Sequence, residues 1–190
     1  PLCKGDIMAR NPKWCLASAE WRVRFGDWIR NPHPEALLNA NIFFDFRPLA
    51  GEARLAGSLR EAVLSLARAN RAFCRAMAHN ALVVRPPLGL LRDFAGEDGV
   101  LDLKLYGSRP FVDAARVLAL AEGVAETATA ARLRAVREGA AVEAFQFIQG
   151  LRLRTQDNRV RVDALSALER RMLKEAFRIA VALQDRLRAD

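Results

Sequence analysis

Apolar residues recur at steps of three and four along most of this chain, the spacing that places them on one face of an α-helix. The pattern is longest at the C-terminal end. From Asp163, a candidate N-cap, to Arg188, the stripe Leu165, Leu168, Met172, Ala176, Ile179, Leu183 and Leu187 faces a charged opposite side. It predicts a bundle helix of about 25 residues, roughly 38 Å long at 1.5 Å per residue, with Leu168, Met172, Ile179 and Leu183 in the core. Near the other end, Trp14, Ala17, Trp21 and Trp28 keep helical spacing between Asn11-Pro12 and Asn31-Pro32. That stripe reads as core packing rather than as a stacking platform. A short helix is expected from Pro34 through Ala40, since proline suits a first turn.

Between about Glu52 and Ala81 the apolar face is Leu55, Leu59, Val63, Leu66, Phe73 and Met77. Ser58 and Glu61 fit a capping box, so a restart is expected there. Val83–Gly99, with Pro86-Pro87, reads as a long ordered loop. "VLDLKLYG" alternates Leu101, Leu103 and Leu105 with polar residues, as a short strand or extended segment does. Three further helices are expected: one from Pro110 to Gly123, one from a Thr cap to Gly139, and one presenting Phe145, Ile148 and Leu151.

One stretch breaks the helical period. "NIFFDFRPLAG", Asn41–Gly51, is an apolar run with a carboxylate inside it. It predicts a small extended element near residues 41–49, in which Asp45 and Arg47 share a face. A carboxylate in such a run needs a partner or a metal. The fold class expected is therefore mainly α, a helical bundle with one small strand element.

Composition narrows the rest. A chain of 190 residues that is 52% hydrophobic can bury a sizeable core. The net charge of +8 is spread over helices and interleaved with acids, as in "ALERRMLKEAFR", and nearly all of it is arginine. No basic cluster with interleaved aromatics occurs, so the charge reads as a solvated surface and nucleic acid is not an expected partner. No apolar run reaches the length of a membrane span, and no signal peptide is visible, so a cytoplasmic protein is expected. Cys3, Cys15 and Cys74 are scattered, and His33 and His79 keep no zinc-like spacing, so neither a disulfide nor zinc is expected. There is no Ser/His/Asp constellation, P-loop or G-x-G-x-x-G. The opening, "PLCKGDIMARNPKW", has no initiator Met and predicts an excised fragment.

Several segments carry a resemblance. "PLCKGDIMARNPKWCLASAEW", "PEALLNANIFFDFRPLAG", "RPPLGLLRDF", "DLKLYGSRPFVDAARVLAL" and "ERRMLKEAFRIAVALQDRL" together resemble the C-terminal part of a bacterial nucleotidyltransferase family similar to the PII-protein uridylyltransferases. Proteins of that family commonly carry a cyclic-nucleotide-binding domain and paired CBS domains, and are described as signal-transduction proteins. The resemblance divides the chain into residues 1–50, the end of a catalytic domain, and residues 51–190, a helical substrate-binding domain.

The resemblance also implies roles. Relatives have a D-x-R-L pattern on a strand that supplies a third metal-holding carboxylate, and Asp45-Phe46-Arg47-Pro48-Leu49 fits it. Asp45 is then a candidate catalytic and metal-holding residue. Arg47 either meets a phosphate or pairs with Asp45, which leaves a purely structural ion pair open. The family's G-S loop and D-x-D pair are absent from these residues. Mg2+ and a nucleoside triphosphate are thus expected only in a full-length protein, and none in this fragment, which is expected to be catalytically incomplete. Lys104, Arg109, Asp113 and Arg116 match a family motif. They either form a polar wall for the acceptor or the nucleotide phosphates, or make an internal salt-bridge network. Arg152 and Arg154 divide the same way. Expected partners are a protein or small-molecule acceptor, upstream regulatory domains of the same chain, and a second copy in a homodimer. The competing function is a helical interaction or dimerisation module.

Overall fold

The computed structural model describes residues 7, 8, 10–88 and 99–189. Cys3 and most of the loop expected over Val83–Gly99 lie outside the described residues. The fold is mainly α, with eight α-helices among the described residues and one two-stranded sheet.

Local chemistry sets several helix ends. The Asn11 side chain accepts from the Lys13 amide at the start of a 3-10 turn, Pro12–Trp14, and α1 follows over Ser18–Arg30. His33 caps α2, Pro34–Phe43, with Pro34 in its first turn. α3 is Ala53–Ala69 and α4 is Arg71–Ala81. Asn70 ends α3 and begins α4: its Oδ1 accepts from the Phe73 amide at 2.9 Å, and its Nδ2 donates to the Ile29 carbonyl at 2.9 Å. The chain turns at Asn70, not at Ser58, where no break occurs. α5, Arg109–Glu122, opens on Pro110 and ends at Gly123, whose φ of 75° suits a residue without a Cβ. α6 is Thr129–Ala135 and α7 is Gly139–Leu153. α8 is Ala167–Ala189.

The strand expected near residues 41–49 is not there. Helix α2 runs to Phe43 and a turn carries Phe44 and Asp45. Ala36, Ala40 and Phe44 are buried at a step of four, which is a helical stripe. It is masked in the sequence because Leu38 and Ile42 on the outer face are apolar too, and a helix apolar all round has no visible period. Extended pairing occurs elsewhere: β1, Val100–Asp102, runs antiparallel to β2, Arg159–Arg161, with Leu101 opposite Val160. "VLDLKLYG" is a strand only as far as Asp102; Leu103–Ser108 forms a π-helix.

The core is continuous. α1 packs on α3, α3 and α4 on α5, and α5 on α6 and α8, while among the described residues α7 and α8 share the most extensive helix–helix contact. Trp21 and Trp28 pack at tilted angles around Phe25 and Phe43 with centroids 5.0–5.6 Å apart, so these tryptophans are packing. α8 is rotated from the expected face. Leu173, Ala176, Phe177, Ala180, Leu183 and Leu187 are buried, whereas Leu168 is 61% and Met172 44% exposed. It also starts later than Asp163. Ser166 and Glu169 form a capping box, the Ser166 amide donating to Glu169 and the Glu169 amide to Ser166 Oγ. The Ser166 amide first, then Arg154, lower the Glu169 carboxyl to about 2. No helix among the described residues is long and apolar enough to cross a membrane.

Candidate functional site

The turn after α2 turns three phenylalanines one way and a carboxylate the other. Phe43, Phe44 and Phe46 pack into the aromatic cluster of α1. Asp45 points instead to α5 and α6. Arg116 Nη2 donates to its Oδ2 at 2.7 Å, and Arg132 Nη2 to its Oδ1 at 2.6 Å. Both arginines are buried, at 6% and 3% exposure. Arg116 Nη1 also donates to Asn41 Oδ1 at 3.0 Å, and Arg132 Nε to the Glu126 carbonyl at 2.7 Å. Burial alone would raise the Asp45 carboxyl, but Arg116 and then Arg132 outweigh it and hold the carboxyl below its ordinary 3.8. Arg60 lies over the Phe46 ring at 4.5 Å and donates to the Phe46 carbonyl.

The charges continue along α5. Arg116 Nη1 reaches Asp113 Oδ1 at 3.3 Å, and Arg109 Nε reaches Asp113 Oδ2 at 3.2 Å. Three guanidiniums thus alternate with two carboxylates from Arg132 to Arg109, an internal salt-bridge network. At the Arg109 end it meets a cavity of about 410 Å³ lined by Asp102, Lys104, Leu105, Ser108, Arg109, Val112 and Arg152.

The π-helix builds that cavity. Asp102 caps it, its Oδ1 accepting from the Lys104 and Leu105 amides at 2.8 Å. Gly107 seats it against α7, where a Cβ would come within 2.8 Å of Ile148 Cγ2. π-helical turns are uncommon and recur at functional sites. Ser108, buried, donates to Gln149 Oε1 at 3.1 Å and accepts from Arg152 Nη1 at 3.1 Å. Arg152 further donates to Gln149 Oε1 and Asn158 Oδ1, each at 2.7 Å. Its partners among the described residues are neutral, which leaves its charge available to an anion.

The residues singled out in the sequence therefore separate. Lys104 and Arg109 line the cavity, with Arg152 beside them. Asp113 and Arg116 belong to the network that holds Asp45. Arg47 is exposed and is not the partner of Asp45. Arg154 pairs at the surface with Glu169 at 2.7 Å. Sequence reasoning missed Arg132, Asn41, Ser108 and Asn158. The Asn41 side chain sits one helical turn before Asp45, a spacing that was legible once α2 is a helix. Nothing local marks Arg132 among its neighbours.

Mg2+ asks for several oxygen ligands, usually including carboxylates and substrate phosphates. Both Asp45 oxygens accept from guanidiniums, and among the described residues no three His, Cys, Asp or Glu side chains cluster as a metal site would require. These residues by themselves do not fit the ion. Residues 71–190 match the family model described as "Putative nucleotidyltransferase substrate binding domain", and residues 1–35 match the one described as "Putative nucleotidyltransferase DUF294". No curated protein and no solved structure matches the chain.

Proposed function

The chain belongs to the family described as "Putative nucleotidyltransferase substrate binding domain", and from that premise we propose that it binds the phosphate-bearing part of a nucleotidyltransferase substrate in the cavity beside the π-helix. The observation that carries this reading is the cavity wall. Lys104, Arg109 and Arg152 converge there against one carboxylate, Asp102, itself occupied in capping. Arg109 is shared with Asp113, while among the described residues Arg152 is oriented by neutral groups. An anion entering this wall meets preset charge and loses little to reorganisation. The finer reading, a uridylyltransferase-like enzyme in a bacterial signal-transduction protein, rests on the resemblance of the five segments quoted above, taken together. In it, the metal-holding carboxylates come from outside these residues, and Asp45 anchors α2 to α5 and α6.

Amide NMR spectra of the labelled chain, titrated with uridine triphosphate and with pyrophosphate, test the cavity. Shifts should concentrate at residues 102–109 and 149–152 and weaken at least about tenfold in apparent affinity in Lys104→Met, the loss of one charge-assisted contact. Absence of shifts in those segments removes the reading.

A further inference from the structure

The far end of α5 carries a second concentration of arginine with a different setting. No Asp or Glu occurs between Glu61 and Asp93, while Arg68, Arg71, Arg75, Arg85 and Arg92 fall in that interval. Folding brings three of them to one groove. Arg68 leaves the last turn of α3, and Arg71 and Arg75 lie one helical turn apart on α4. Together with Cys74 they line a hollow of about 310 Å³ whose floor is Ala78, Val117, Leu118, Ala121 and Leu187. A second hollow, of about 490 Å³, adjoins it through Arg68 and passes Ser65 and Gly123.

Among the described residues, no carboxylate pairs with the positive charge there. None of the three arginines takes part in an ion pair among the described residues, and the first turn of α4 has no acidic residue. Two described carboxylates near this end of the bundle are already committed. Glu122 pairs with Arg186 at 2.9 Å, and Asp185 pairs with Arg85 at 2.7 Å and with Arg188 at 3.2 Å. Like charges gathered over an apolar floor repel one another, and a bound anion relieves that repulsion. Guanidinium forks match phosphate oxygens in pairs. The apolar floor offers nothing to a bare anion, but it takes a ring or a hydrocarbon body. The volume lies in the range of small-molecule pockets and is too small for a helix, so the occupant is not a docked peptide helix.

We propose that this groove is a second ligand site, separate from the cavity beside the π-helix, for a small organic phosphate or diphosphate that lays an apolar or aromatic body on Ala78, Val117, Leu118 and Ala121.

Cys74 supplies the reporter. It is half-buried in the groove wall, its thiol reaching the Ala67 carbonyl at 3.3 Å. In the chain carrying Cys3→Ser and Cys15→Ser it is the sole thiol. Alkylation by iodoacetamide is measured with adenosine diphosphate, uridine diphosphate or phenyl phosphate, and with pyrophosphate or adenosine as the charge and the body alone. At least one organic phosphate should slow alkylation about tenfold at ten times its dissociation constant. Arg71→Ser and Arg75→Ser, both at exposed positions, should abolish protection with the melting temperature unchanged; Lys104→Met should leave it intact. Protection by none of the three organic phosphates overturns the proposal, as does protection that survives both arginine changes or is lost in Lys104→Met. Equal protection by pyrophosphate overturns the apolar half of it.

Discussion

Arg116 and Arg132 each bring a guanidinium into the interior, and one carboxylate answers both. A buried charge that loses its partner is costly, because water cannot replace it. Asp45→Asn keeps the shape and removes the charge, leaving Arg132 facing a neutral amide and Arg116 with Asp113 as its remaining carboxylate. The expected loss is about 2–4 kcal/mol, with turnover per folded molecule of a complete enzyme nearly intact. The pH dependence follows from the sign of the shift. Asp45 is held below its ordinary 3.8. Its contribution is therefore complete above that value and is lost as the pH falls through the depressed one. The melting-temperature gap between wild type and Asp45→Asn should be constant above about pH 5 and close in stronger acid. Melts at a series of pH values read this directly. A gap indifferent to acid would mean that the Asp45 charge does not stabilise the fold, and a fully folded variant with lost turnover would restore a catalytic role.

Among the elements, α8 makes the sharpest contrast between neighbours. Adjacent helical residues differ by about 100° in direction, so Leu173 faces the core while Met172 looks outward. Leu173 is 0% exposed and Met172 44%. Leu173→Ala removes buried methylenes and leaves a cavity, for an expected loss of about 2–5 kcal/mol. Met172→Ala should stay within about 0.5 kcal/mol. Urea unfolding of the two variants decides the register of the helix, and the opposite ranking would return the core to the stripe through Met172. The π-helix shows the same dependence on a neighbour. Its close seat on α7 exists because Gly107 presents no Cβ to Ile148.

The described residues share one core. Phe25 and Ile29 of α1, Phe44 beyond α2, Phe73 of α4 and Leu187 of α8 belong to a single buried cluster. Unfolding should therefore be one transition in calorimetry, with equal calorimetric and van't Hoff enthalpies. Two resolved transitions would show that residues 1–50 fold apart from the rest. At this scale the division of labour between sequence and structure becomes plain. Where helices begin and end was legible at Pro34, Pro110 and Gly123, because capping and left-handed turns depend on residues a few positions away. The face of α7 was legible for a related reason: Phe145, Ile148 and Leu151 recur at helical spacing, and all three are buried. The state of residues 41–43 was not, since an apolar run fits helix and strand equally until something packs on it. Nor was the partner of Asp45. Arg47 stands two residues away and looked sufficient, yet Arg116 and Arg132 lie 71 and 87 residues along the chain. Burial made the choice. A guanidinium enclosed by several helices must find a carboxylate within reach, whereas Arg47, in water, needs none.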